Sequence, residues 1–189
     1  MDWHAKQALI VVLLGMSVCA LGAADLEHRA ADAVAAHHLV EARDLYRQLA
    51  AQHPEQVGHE VWVGRLSSWL NDYDAADAAF DRVLAAAPDN VEALVGKAYV
   101  AMWQDRFASA DRLLARALVA APYDPQVHLA LARNGHFQGN DRDAARHVAR
   151  VLALDPGSTD AQELARRLSP APEPPGFLAR LKRLFTGRS

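Results

Sequence analysis

Residues 91–122 place apolar side chains at a helical period twice in succession. Leu94, Ala98 and Ala101 recur at spacings of four and three, which puts them on one face of a first helix. After a polar break at residues 104–106, Phe107, Ala110, Leu113, Leu114, Ala117 and Leu118 form the apolar face of a second helix. Asp89 with Glu92 three residues later predicts a capping pair ahead of the first. Pro122 ends the second, because proline has no amide hydrogen and disfavours helix in the residue before it. The predicted unit is a pair of amphipathic helices joined by a short turn.

That unit recurs. Pro54, Pro88, Pro122 and Pro156 are evenly spaced, and Ala42, Ala76, Ala110 and Ala144 keep the same register. A large apolar residue follows each alanine by four, at Tyr46, Phe80, Leu114 and Val148. Gly64, Ala98 and Ala132 put a small residue on the first helices opposite the alanine series, so that paired backbones can approach closely. A 34-residue helix-turn-helix period resembles the tetratricopeptide repeat, from Asp25 to Pro156 with a half repeat to Leu168. The resemblance implies an all-α fold, a solenoid of about four helical hairpins with a terminal capping helix, over residues 25–168. Thr159 and Gln162 have capping-box spacing at the start of that last helix, and its Glu163, Arg166 and Arg167 suit a solvated end of the stack. The departures fall at the aromatic positions of the first helices. One series reads Leu26, Glu60, Leu94 and His128, and the other Ala33, Ser67, Ala101 and Gly135, so the resemblance rests on the period, the prolines and the alanines.

The flanks differ from the repeats. Lys6 precedes an apolar run over residues 8–14 that continues through small residues to Ala24, and charge begins at Asp25. Residues 1–24 therefore read as a signal peptide, with cleavage after Ala20 or Ala24, or as an uncleaved N-terminal anchor. Either reading places the protein outside the cytoplasm, in the periplasm or attached to the envelope. Residues 169–176 hold four prolines and form a semi-stiff linker. Beyond it, Phe177, Leu178, Leu181, Leu184 and Phe185 fall on one side of a short helix, with Arg180, Lys182 and Arg183 towards the other. Residues 177–189 are thus a basic amphipathic tail, suited to an anionic membrane surface or to a groove.

Composition narrows the function. With 51% hydrophobic and 23% charged residues the chain is globular rather than disordered. The net charge of −3 conceals a tail of +3, so the repeats are acidic and lack the basic face that nucleic acid would require. No glycine-rich phosphate loop, GxSxG, HExxH or CxxC occurs. His37 and His38 are adjacent and cannot share a helix face, and His128 and His136 lie two turns apart, so no metal ligand set is expected. Asp72, Asp74 and Asp77 sit where turns and helix starts account for them. No enzymatic activity and no cofactor are expected. Cys19 is the sole cysteine, and cleavage after Ala20 or Ala24 would remove it.

The resemblance also implies a concave surface lined by the first helices. Its inward positions correspond to Arg65, Tyr99 and Arg133 and, four residues on, to Trp69, Trp103 and Phe137, with Met102 and His136 beside them. Such a double stripe suits a partner protein or peptide, since aromatic and arginine side chains dominate interface energetics. A seam between neighbouring first helices would repeat large residues in the same way, and both readings stand at this level. The pairs Trp103-Gln104 and Phe137-Gln138 at the helix turns are similar to the periplasmic repeats of outer-membrane polysaccharide export proteins. The expected function is a non-catalytic scaffold of the bacterial envelope that binds a partner protein or peptide. The alternatives are an assembly factor tethered through residues 177–185 and an accessory protein of polysaccharide export, which would bring a polysaccharide within reach of the same face. Intact-mass measurement of the exported protein should give a chain that begins after Ala20 or Ala24, whereas a mass that retains Met1 identifies an anchor.

Overall fold

The computed structural model describes residues 25–169; the expected signal peptide or anchor, the expected tail and most of the expected linker lie outside the described residues. Nine α-helices follow one another among the described residues. They are α1 (25–35), α2 (Leu39–Gln52), α3 (Val57–Trp69), α4 (Tyr73–Ala86), α5 (Val91–Trp103), α6 (Phe107–Ala120), α7 (Pro125–Phe137), α8 (Asp141–Leu154) and α9 (Thr159–Leu168). They form four hairpins and a closing helix, an all-α solenoid as the repeat predicts.

The helix ends obey the register of the repeat. Backbone φ is positive at His37, Asn71, Asp105 and Gly139, one in each turn inside a hairpin. At these turns Asp72 N–H donates to the Ser67 carbonyl and Arg106 N–H to that of Ala101, with matching bonds at His38 and Asn140. Each is a left-handed helix stop that satisfies the carbonyls left free at the end of the first helix. At the starts, Asn90 accepts from Ala93 N–H, Asp124 from Gln126 N–H and Ser158 from Ala161 N–H. The caps thus sit at Asn90 and Ser158, not at the expected Asp89 and Thr159. Each of these two caps is the last non-helical residue, and its short side chain reaches the N–H of the third residue on. Asp72 does cap α4 as expected.

Alanine and glycine set the spacing inside the hairpins. Ala42, Ala76, Ala98, Ala110 and Ala132 are fully buried, and Leu94, Leu114 and Ala117 share one core cluster with Ala98 and Ala101. Phe80 is inserted between two glycines. A Cβ at Gly64 would lie 2.6 Å from its ring, and one at Gly96 closer still. The same repeat position therefore has two solutions, a tight alanine contact at Ala98 and Ala132 and a glycine that admits a phenyl ring at Gly64.

The curvature follows from which helices touch. The first helices of neighbouring hairpins meet, α3 with α5, α5 with α7 and α7 with α9, whereas among the described residues α4 and α6 do not meet, nor do α6 and α8. Helices closer together on one side than on the other bend the stack towards that side. The first helices therefore line its inner face.

Gly96→Ala tests the insertion of Phe80. Alanine favours the helix by up to about 1 kcal/mol, while overpacking the ring costs about 1–3 kcal/mol. The expected result is a lower urea midpoint for the single variant and a higher one when Gly96→Ala is made in a Phe80→Leu background.

Candidate functional site

The two predicted stripes lie together on the inner face and touch each other. Trp69, Trp103 and Phe137 are the last residues of α3, α5 and α7, so they form a row along one edge of that face. Tyr99 stacks on Trp103 one helical turn later, with centroids 5.9 Å apart at 27°. Trp103 also meets Tyr73 of the preceding hairpin at 6.0 Å, and Phe137 meets Phe107 in the same way at 6.2 Å. Trp69 stands edge-on to Trp62 at 6.4 Å. Even so, Trp69, Trp103 and Phe137 remain 48%, 45% and 55% exposed. Seam and open surface thus coincide in the same rings.

The cationic stripe is held by partners from the next hairpin. Arg65 pairs with Glu92 at 3.3 Å and Arg133 with Asp160 at 2.8 Å, each acid holding the same place in its repeat. Arg133 also donates to the Tyr99 hydroxyl at 3.4 Å and lies 5.7 Å above its ring. Burial raises the Tyr99 pKa above 10.0, and Arg133 opposes that rise. Arg65 lies 5.4 Å above the ring of Trp62. These charges are partly solvated, so each pair contributes at most about 1 kcal/mol to stability. Their larger effect is to fix the direction of the guanidinium groups.

Between α3 and α5 the face sinks into a cavity of about 340 Å³. Trp69 and Trp103 stand on its rim with Arg65 and Glu92, while Val95 and Phe80 line its depth. The cavity exists at this repeat because Gly96 occupies the position that holds Trp62 in the preceding repeat. A smaller one of about 200 Å³ lies between α7 and α9, lined by Arg133, His136, Phe137, Asp160, Leu164 and Arg167. The half-buried His136 donates through Nδ1 to the Asp141 carboxylate at 2.7 Å.

Met102 departs from the expectation. It is 3% exposed and packs in the same core cluster as Val127 and Ala130 of α7. Consecutive helical residues point about 100° apart, so Met102 faces the neighbouring helix while Trp103 faces outward. The expected contacts Phe177, Leu178, Arg180, Leu181, Lys182, Arg183, Leu184 and Phe185 lie outside the described residues.

Four participants were not assigned to the site from the sequence, although Glu92 was expected at the helix start as a capping residue. Glu92 and Asp160 could have been found from their shared offset to Arg65 and Arg133. Tyr73 could have been found as well, because Phe107 holds its place in the next repeat, whereas Gly96 could not, because it acts at one repeat only. A histidine pair was missed as well. His128 Nε2 donates to the Pro122 carbonyl at 3.0 Å, which leaves its Nδ1 to accept from His147 Nδ1–H at 3.1 Å. Among the described residues, no three or more His, Cys, Asp or Glu side chains group to hold a metal ion. Among them, too, no helix is long and apolar enough to cross a membrane.

Comparison with known proteins agrees with this geometry. Residues 70–133 match the family model described as tetratricopeptide repeat. TTC0263, a thermophilic tetratricopeptide-repeat protein of Thermus thermophilus, superposes with a TM-score of 0.70 at 16% identity, over 77% of this chain and 80% of its own. A double mutant of MamA RS-1 gives 0.62 at 18% identity, over 77% and 82%. The first repeat domain of Spaghetti (RPAP3), bound to the HSP90 peptide SRMEEVD, gives 0.56 at 18% identity, over 60% and 90%. No curated protein matches the sequence. At these identities the likeness is one of fold.

The histidine pair predicts a pH dependence. Burial holds His147 below its ordinary 6.5, with His128 and Arg146 adding to the effect and Asp143 opposing it. The unfolded chain then binds the proton more readily, so stability is full above the unfolded value and falls as the pH drops through it. The urea midpoint of the wild type should decrease between about pH 7 and about pH 5, and His147→Gln should reduce that decrease.

Proposed function

We propose that this chain, which carries tetratricopeptide repeats, is a non-catalytic scaffold of the bacterial envelope that holds a partner protein or peptide on the inner face of its solenoid. The observation that carries the reading is the cavity of about 340 Å³ between α3 and α5, with the half-exposed Trp69 and Trp103 on its rim. An apolar recess of this size takes one large side chain. The exposed indoles flank it, and Arg65, Glu92 and Gln126 offer polar contacts to an extended backbone. The peptide bound by the RPAP3 repeats supports a peptide ligand for this fold. Residues 1–24 support export, because a lysine followed by an apolar run and small residues is the composition of a signal peptide. The mechanism is binding alone, with the hairpins as a preformed support that loses little entropy on association.

Partner recovery tests the site. Capture on the immobilised protein should be lost with Trp103→Ala and weakened with Trp69→Ala, while Val119→Ala, exposed on the second helix α6, leaves it unchanged. Circular dichroism should show equal helical content in all three variants. Equal recovery by the wild type and Trp103→Ala would sink the proposal.

A further inference from the structure

We propose that residues 177–185 dock in cis across the exposed ring row, against Phe137 and Trp103, and compete there with the external partner. The inference rests on the reading of that row as a docking surface. Direction supports it first. Short turns make successive helices antiparallel, so every first helix runs the same way. The C-terminal end of α9 therefore emerges at the edge where Trp103 and Phe137 end α5 and α7.

Reach comes next. Packed helix axes lie about 8–10 Å apart, so Phe137 is one such step from α9 and Trp103 two. Seven residues at the extended proline-rich rise would reach about 22 Å, and nine residues in a helix would add about 13 Å. The linker is thus long enough for the segment to lie over both rings, and short enough to keep its local concentration in the millimolar range.

The chemistry is complementary. A helix over residues 177–185 presents Phe177, Leu181, Leu184 and Phe185 on one side, which matches two rings about half exposed. The charges oppose as well. Residues 1–24 carry one acid and one base, so a chain of −3 with a tail of +3 leaves −6 on residues 25–169. Two carboxylates at this edge, Asp74 beside Tyr73 and Asp105 in the turn after Trp103, are exposed and make no ion pair among the described residues. They suit Arg180, Lys182 and Arg183. The segment covers Trp103 and Phe137 and leaves Trp69 open, so it acts as an internal competitor at one end of the cavity.

Paramagnetic relaxation on the full chain tests the contact. A nitroxide is attached to isotope-enriched protein carrying Cys19→Ser and Ser189→Cys. The expected result is broadening of the amide signals of Asp105 and of residues 138–140, reversed by Leu181→Glu with Leu184→Glu. Broadening confined to α9 overturns the proposal. So does broadening that arises only when labelled unenriched chain is mixed with unlabelled enriched chain, which would mean pairing between copies. Absence of broadening together with flotation on vesicles of phosphatidylglycerol and phosphatidylethanolamine, abolished by Leu181→Glu, assigns the segment to a membrane and overturns it too. The two readings fail separately. Broadening with partner capture unaffected by Trp103→Ala sinks the scaffold site alone, and capture that depends on Trp103 without broadening sinks the tail alone.

Discussion

Everything in this solenoid depends on unequal stacking of its helices. First helices touch their counterparts in neighbouring hairpins, and the described second helices α4, α6 and α8 do not touch one another, so the stack closes on one side. That side gathers the side chains of α3, α5 and α7 onto one surface, although each belongs to a different repeat. Small residues at Ala98, Ala110 and Ala132 set the spacing inside each hairpin by letting its two backbones approach. At one repeat glycine replaces alanine on the inner helix, and the space admits the ring of Phe80 beneath the cavity.

The inner face therefore does two things with the same atoms. Trp103 seals α5 against Tyr73 of the preceding hairpin and leaves nearly half its surface to solvent. Phe137 repeats the arrangement on Phe107. Aromatic pairs of this kind are worth about 0.5–1.5 kcal/mol beyond their buried area, so the rings are held in place before any ligand arrives. Little binding energy then goes into ordering them. The ion pairs of Arg65 and Arg133 with the next hairpin complete a lattice in which each repeat orients the side chains of its neighbour.

Much of the fold was legible because its determinants are local. Pro88 and Pro122 end helices through their own missing amide, and Leu94, Ala98 and Ala101 share a face through helical geometry alone. Capping positions were legible to within one residue. The side chains of Asn90 and Ser158, rather than those of Asp89 and Thr159, meet the helix N–H groups. The left-handed turn residues were hidden for a different reason. His37, Asn71, Asp105 and Gly139 share a conformation and a register but no chemistry. The candidate site was half legible, since the stripes stood out as series in step with the repeat, while Gly96 and the pair of His128 with His147 act at single repeats.

Periodicity and helix ends depend on neighbours a few residues away, so the pairing of helices at a constant interval, with arginines and rings at the inward positions, could be read from the residues in order. Which of those side chains are open could not. Met102 and Trp103 are adjacent in the chain and both apolar, yet α7 covers the first, whereas the second packs on Tyr73 at the start of α4 and on Tyr99 of its own helix and stays nearly half exposed. Exposure is a property of what stands opposite, and here that comes from the adjacent hairpin. The same reason accounts for the cavity, whose lining comes from α3, α5 and the start of α7, with Phe80 of α4 beneath.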